Sequence, residues 1–346
     1  MARCIELARL GGSRVKTNPN VGALLLYEDK VIGEGYHKYY GGDHAEVEAV
    51  KSVSVENQDH IQHATLYVTL EPCCIHAKTP ACSDLIIHHQ IKKVVVGTLD
   101  PNPAMQGKSI QLLKSKGIDV VDGVLEKECQ ELIAPFRAHL DQRPYILLKY
   151  AQTSDNYIGI KNGQVWLSNY ASKRLVHKWR SENDAILIGY NTALIDDPAL
   201  TTRLYPGPHP HRIVLDRKLS LPRSHQLWAD EYPTTFITER ASEKVDDMPH
   251  KFIETMDFNE SLEENICKLA FKKAFYRLMI EGGAKTLQGF ITKGLWDEAR
   301  VIRTSKTLGS GVRAPYLKQK HCKMERFLND SVYHYQRNGA SNVIKC

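Results

Sequence analysis

Apolar and polar positions along the chain fall into two successive α/β patterns. In the first, residues 2–12 have helical spacing, and Val21–Tyr27 and Val31–Gly35 read as strands joined by a Glu-Asp-Lys turn. His44–Ser52 places apolar Ala45, Ala49 and Val50 at helical intervals. Thr65–Leu70, β-branched and aromatic, predicts a strand that delivers Glu71-Pro72-Cys73 at its end. Pro80–His89 predicts a helix, Val94–Gly97 a strand, Gly107–Lys116 a helix and Lys127–His139 a closing helix.

The polar stretch Asp141-Gln142-Arg143-Pro144 reads as a hinge, dividing the chain into residues 1–142 and 143–346. Beyond it the pattern restarts. Tyr145–Ala151, Ala185–Gly189, Ile213–Asp216 and Arg277–Ile280 predict strands, and Ala171–Glu182 and Leu262–Ala274 predict helices. Ser220–Ser261 shows no regular period and reads as irregular. Strands alternating with helices predict a sheet with helices on its faces, with sites at strand ends and helix starts.

The length of 346 residues fits about two domains. No apolar run approaches the ~18 residues of a membrane span, and charges interrupt the N-terminus where a secretory signal needs an apolar core. Eight cysteines without such a signal indicate a reducing, cytoplasmic setting; Cys4, Cys129, Cys267, Cys322 and Cys346 read as free thiols. A net charge of +6, with no basic stripe, suits an anionic small molecule better than nucleic acid.

Only one cysteine group looks like metal chemistry. His44-Ala45-Glu46, then Pro72-Cys73, then Cys82 follows the H-x-E…P-C…C order of zinc deaminases. One imidazole and two thiolates leave a fourth zinc position open for water, whose pKa the metal lowers. Glu46, two residues from the histidine and not a ligand, can then carry protons. Taken singly, His44 would read as a half-buried helix histidine, and Cys73 and Cys82 as buried thiols. Their joint order at strand ends and helix starts favours zinc. Cys74 is an alternative ligand, but neighbours on extended backbone point opposite ways. An open three-ligand site with a spare carboxylate is also unlike a closed structural zinc module.

The gap between Cys73 and Cys82 is longer than the usual two residues. It belongs to a wider set of matches: Asn18-Pro19-Asn20-Val21-Gly22, Gly33-Glu34-Gly35-Tyr36-His37, Gly42-Asp43-His44-Ala45-Glu46-Val47, Leu70-Glu71-Pro72-Cys73, Thr79-Pro80-Ala81-Cys82 and Asp100-Pro101-Asn102-Pro103. Together these resemble the bifunctional diaminohydroxyphosphoribosylaminopyrimidine deaminase/5-amino-6-(5-phosphoribosylamino)uracil reductase family of riboflavin synthesis. The resemblance implies a cytidine-deaminase-like three-layer domain followed by a dihydrofolate-reductase-like domain. It also implies His44, Cys73 and Cys82 as Zn2+ ligands, Glu46 as general acid/base, and Asn20, Lys78, Asp100 and Asn102 as substrate-facing. The chain departs from the family between its cysteines, where it reads Cys74-Ile75-His76-Ala77 and lacks the usual glycine.

The resemblance continues through Leu148-Lys149-Tyr150-Ala151-Gln152-Thr153-Ser154-Asp155, Val165-Trp166-Leu167-Ser168, Asp184–Gly189, Asn191-Thr192, Asp196–Arg203 and Ile280-Glu281-Gly282-Gly283. It implies NADPH contacts at Ala151, Trp166, Thr192, Asp196 and the run Gly283-Ala284-Lys285-Thr286-Leu287-Gln288-Gly289. It implies substrate contacts at Arg180, Leu200, Arg203 and Glu281, with the two arginines on the ribose phosphate. Lys149 and Asp196 are the candidates for polar assistance at the reacting centre. Asn156 replaces a family glycine and is expected to keep its turn, because asparagine tolerates φ > 0. No G-x-G-x-x-G follows a strand, so a Rossmann site is not supported.

The expectation is therefore a cytoplasmic zinc deaminase and NADPH reductase acting on phosphoribosylated pyrimidines, as a homo-oligomer of two or four chains. The altered loop after Cys73 keeps open a reductase with a weakened deaminase half. A nucleic-acid base deaminase would need a basic, aromatic-lined groove, which the sequence does not show.

Overall fold

The computed structural model describes residues 1–75, 80–161, 163–240 and 248–337. The chain divides into two compact units, Met1–Leu140 and Asp141–Cys346.

In the first unit a five-stranded sheet runs in the order β2-β1-β3-β4-β5, with β1 Gly22–Tyr27, β2 Lys30–Tyr36, β3 Thr65–Leu70, β4 Lys93–Thr98 and β5 Asp119–Val121. β1 is antiparallel to β2 and β3, whereas β3, β4 and β5 are parallel. Alternate residues point to opposite faces. Ala23, Leu25, Leu66, Val68, Val94 and Val96 pack with Ala45, Ala49, Ile86, Ile110 and Leu113. That places helices Ala45–Lys51, Cys82–His88 and Lys108–Ser115 on one face. Helix Ala2–Arg9 lies on the other, its Cys4 and Ala8 backbone against Gly22. The expected closing helix is two, Glu126–Leu132 and Ala134–Leu140, with Pro135 near the second start, where its missing N–H is not needed.

The second unit carries a nine-stranded sheet in the order β11-β10-β9-β8-β12-β6-β13-β16-β15. Its strands are β6 Tyr145–Gln152, β8 Ala185–Gly189, β9 His211–Leu215, β10 Thr234–Thr238, β11 Lys251–Thr255, β12 Arg277–Ile280, β13 Glu298–Arg303, β15 Lys323–Phe327 and β16 Asp330–Gln336. The short β7 Tyr157–Gly159 and β14 Val312–Arg313 pair separately. From β11 to β13 the pairs are parallel, so these strands end along one edge; β16 and β15 close the sheet antiparallel. Helices Leu262–Lys272 and Ala284–Lys293 cover one face through Ile266, Ala270, Leu287 and Phe290. Helix Tyr170–Ser181 covers part of the other through Val176 and Trp179.

Ser220–Ser261 is not irregular throughout, contrary to the sequence reading. It holds helix Gln226–Ala229 and strands β10 and β11 at the sheet edge. The threonines of β10 hid a fully buried strand, because their hydroxyls are satisfied locally. Thr234 Oγ1 accepts from Arg212 and Thr238 Oγ1 donates to the Arg217 carbonyl. Asn156 has φ 65 and keeps its turn through an N–H bond to the Thr153 carbonyl.

Gly35 fixes the approach of the helix behind His44. A Cβ there would lie 2.3 Å from the Ala49 nitrogen and 2.4 Å from the Ala45 oxygen, both helix backbone. Gly35→Ala should therefore destabilise the first unit by about 1–3 kcal/mol, the usual penalty of overpacking. The urea midpoint should fall and zinc content should fall with it. A variant as stable and as metal-loaded as the wild type would contradict this packing.

Candidate active sites

Three elements converge in the first unit. His44 is the N-cap of helix Ala45–Lys51, Cys73 follows the end of β3, and Cys82 opens helix Cys82–His88. His44 Nδ1 lies 3.2 Å from Cys82 Sγ and 3.5 Å from Cys73 Sγ. The ligand atoms all lie within 4.8 Å of one another. The Cys82 amide also donates to Cys73 Sγ at 3.3 Å. Hydrogen bonding from Cys82 brings the Cys73 thiol down to about 4 against its burial, with His44 adding to the fall. Cys73 in turn raises His44 to about 9. One nitrogen and two sulfurs, one already favoured as thiolate, form a donor set suited to zinc.

Glu46 is buried beside this cluster, and burial lifts its carboxyl above the usual range, with His44 opposing. Cys74 is not part of the metal-binding group among the described residues, and burial raises its thiol.

Glu71, which the sequence marked only as part of a motif, organises the neighbouring loop. Its buried carboxylate accepts from the amides of Asp100 (3.1 Å), Gly107 (2.8 Å) and Ser109 (3.1 Å), and from Ser109 Oγ (3.0 Å). Those bonds hold the segment carrying Asp100 and Asn102. The segment is braced further by Asn102 N–H to Asp100 Oδ1 at 2.8 Å and Ala104 N–H to Asn102 Oδ1 at 3.0 Å. An acidic residue just past a buried strand was the available signal. Asn20 is buried immediately before β1, with Oδ1 unpartnered among the described residues. His37, which the sequence marked only within a motif, is buried, edge-on to His44 at 5.8 Å, and tied to Asn18 and the Asp43 carbonyl. Lys78 lies outside the described residues.

The second unit has a cavity of about 1230 Å³ at the carboxyl ends of β6, β8, β9 and β12. That exceeds the usual ~300–1,000 Å³ of a single-ligand pocket and leaves room for a dinucleotide and a substrate. Lys149, Ala151, Trp166, Arg180, Thr192, Asp196, Leu200, Arg203, Glu281 and the run Gly283–Leu287 all line it. Gln288 and Gly289 are not among the lining residues. Gln288 accepts from the Tyr316 amide, and Gly289 lets Glu263 approach helix Ala284–Lys293.

At the floor, Glu281 Oε1 accepts from Lys149 Nζ at 2.8 Å and from Arg180 Nη2 at 2.9 Å, and Oε2 from Arg180 Nε at 2.8 Å. Burial works against this carboxylate, yet Arg180 and Lys149 outweigh it and hold its pKa at about 2. Lys149 is therefore no edge lysine reaching for water; its side chain is 12% exposed. Arg180 also donates to the Thr201 carbonyl, so its guanidinium is largely committed within the protein. Asp196 has a raised pKa, chiefly from desolvation, with Glu281 adding.

NADPH fits the geometry of the turn. Gly282 packs so tightly that a Cβ would lie 2.9 Å from Ile188 Cβ and 3.1 Å from Thr192 Cγ2, and Gly283 has φ 65. The ten-residue helix Ala284–Lys293 starts there, presenting free N–H groups and a positive dipole end to the cavity, suited to a pyrophosphate.

The family described as cytidine and deoxycytidylate deaminase zinc-binding region matches residues 1–98, and that of the RibD C-terminal domain matches residues 144–335. The chain is 39% identical over 316 residues to the riboflavin biosynthesis protein RibD of Aquifex aeolicus, covering 90% of this chain and 88% of that protein. It is 32% identical over 332 residues to RibD of Escherichia coli, covering 90% and 89%. Among solved structures, it is similar to a diaminohydroxyphosphoribosylaminopyrimidine deaminase/5-amino-6-(5-phosphoribosylamino)uracil reductase of Thermotoga maritima, with TM-score 0.84, 34% identity and 97% of each chain covered. A deaminase-like first unit joined to a RibD-type second unit, sharing this identity along the chain, places the protein in the RibD family of riboflavin biosynthesis proteins.

Proposed function

We propose that the chain carries out two reactions of riboflavin synthesis. The first unit deaminates 2,5-diamino-6-(5-phosphoribosylamino)pyrimidin-4-one hydrolytically. The second reduces the ribosyl group of the product to ribityl with NADPH. The observation that carries the reading is the His44, Cys73 and Cys82 donor set within 4.8 Å, with Glu46 buried beside it.

Zinc held by His44, Cys73 and Cys82 supplies a water acidic enough to attack near neutral pH. Glu46 takes the proton of the attacking water, delivers it to a ring nitrogen and assists the departure of ammonia. Its burial suits this role, because a carboxyl raised toward the working pH both accepts and donates. Asn20, Asp100 and Asn102 orient the substrate, with Glu71 fixing the loop of the last two. Lys78 is assigned to the phosphate on its charge alone.

NADPH supplies the hydride in the second unit. Ala151, Trp166, Thr192 and the first turn of helix Ala284–Lys293 hold it. Glu281 holds Lys149 Nζ at the cavity wall, where Lys149 and Asp196 give polar assistance at the reacting carbon. Leu200 and Arg203 face the substrate. The proposal includes a cytoplasmic setting, consistent with Cys4, Cys129, Cys267 and Cys322 being free thiols. It also includes assembly into two or four chains.

Glu46→Gln should keep its zinc and its NADPH oxidation with supplied deaminated product, while deamination falls by about 10²–10⁴-fold, the usual contribution of a positioned acid/base. Zinc analysis and ammonia release on one preparation check this, and loss of the metal instead would refute the role. Light scattering in solution should give the mass of two or four chains. A single-chain mass would remove assembly from the proposal.

A further inference from the structure

Helix Tyr170–Ser181 turns Lys173, His177 and Arg180 toward the cavity at intervals of four and three residues, the spacing of one helical face. Of these, His177 has no explanation so far. It lines the cavity yet is only 2% exposed, and its Nδ1 is sealed from water without a hydrogen-bond partner among the described residues. Buried histidines are ordinarily satisfied by the protein. Here the charges acting most strongly on the ring are the cations Arg180, Arg203 and Lys173 and the anion Glu281.

Its neighbours differ in how free they are. Arg180 places Nε and Nη2 on Glu281 and Nη1 on the Thr201 carbonyl. Arg203 is exposed and makes one long contact, Nη1 to Thr201 Oγ1 at 3.3 Å. Lys173 Nζ rests over the Trp166 ring at 4.4 Å. An imidazole with no partner, an arginine with most of its fork free and a surplus of positive charge together lack a dianion with several acceptor oxygens. A phosphate monoester has that chemistry.

We propose that His177 binds the phosphate of the second unit's substrate together with Arg203, and that Arg180 acts as the support of Glu281. The assignment rests on reading this cavity as the reductase site. Burial and the adjacent cations lower His177 to about 4, so the free ring is neutral and offers a single N–H.

The test compares full-length wild type, His177→Leu, His177→Gln and Arg203→Ala in steady-state NADPH oxidation with the phosphoribosylamino substrate. NADPH affinity is followed separately by fluorescence. Loss of one hydrogen bond to a charged group should raise the KM of His177→Leu about 10- to 100-fold. Its kcat and NADPH affinity should stay within about twofold, and Gln, which keeps a donor, should recover part of the loss. Arg203→Ala should show the same KM-selective defect. In wild type, the His177 ring resonances should move on titration with inorganic phosphate, a readout independent of whether the Leu variant folds. An unchanged KM in His177→Leu, a fall in kcat at constant KM, or ring resonances indifferent to phosphate would each overturn the assignment. A wild type that binds phosphate at His177 but oxidises no NADPH would instead overturn the reductase reading and leave the phosphate site standing.

Discussion

A carboxylate buried at the first residue beyond a parallel strand must be matched by donors, and each unit of this chain builds its site around that requirement. Glu71 follows β3 and Glu281 follows β12. A carboxylate taken out of water needs hydrogen-bond donors in place of its hydration. Glu71 meets the requirement with three backbone amides and a hydroxyl, so its charge fixes a loop. Glu281 meets it with Lys149 and Arg180, so its charge fixes two cations. Removing one partner from such a pair typically costs about 3–5 kcal/mol, because the other charge is left buried and alone. The strand ends are therefore rigid where the chemistry needs them to be.

The two solutions give opposite fields. In the first unit the thiolate favoured at Cys73 and the buried Glu46 make an electron-rich pocket, fit for a cation and for proton transfer. In the second, nine lysines and arginines, Lys149, Lys173, Arg180 and Arg203 among them, outnumber five carboxylates at the cavity wall, fit for anionic ligands. One modest net charge of +6 conceals this division.

Much of this was legible in the sequence, and the reasons are local. Thr65–Leu70, Ala185–Gly189 and Arg277–Ile280 are short β-branched or aliphatic runs bounded by polar residues, and each forms the strand its pattern predicts. The order His44, Glu46, Cys73, Cys82 pointed to a metal because those types are rarely so arranged by chance; the three ligands do converge, with Glu46 buried beside them. What escaped depends on contacts distant in sequence. Strand β10 was masked by threonines whose hydroxyls bond to Arg212 and to the Arg217 carbonyl, 22 and 21 positions away. Glu71 reaches residues 29 to 38 positions away, and Arg180 meets Glu281 across 101 positions. The sequence could name Arg180 as a phosphate cation, but not that it bonds the carboxylate of Glu281.

The account's central claim is that one chain holds two working sites of different chemistry. The most direct test follows ammonia release and NADPH oxidation together, on one zinc-loaded preparation given 2,5-diamino-6-(5-phosphoribosylamino)pyrimidin-4-one. The account predicts stoichiometric ammonia first, with NADPH oxidation following as the deaminated product accumulates. NADPH oxidation of supplied deaminated product, with no ammonia from the diamino substrate, would contradict it.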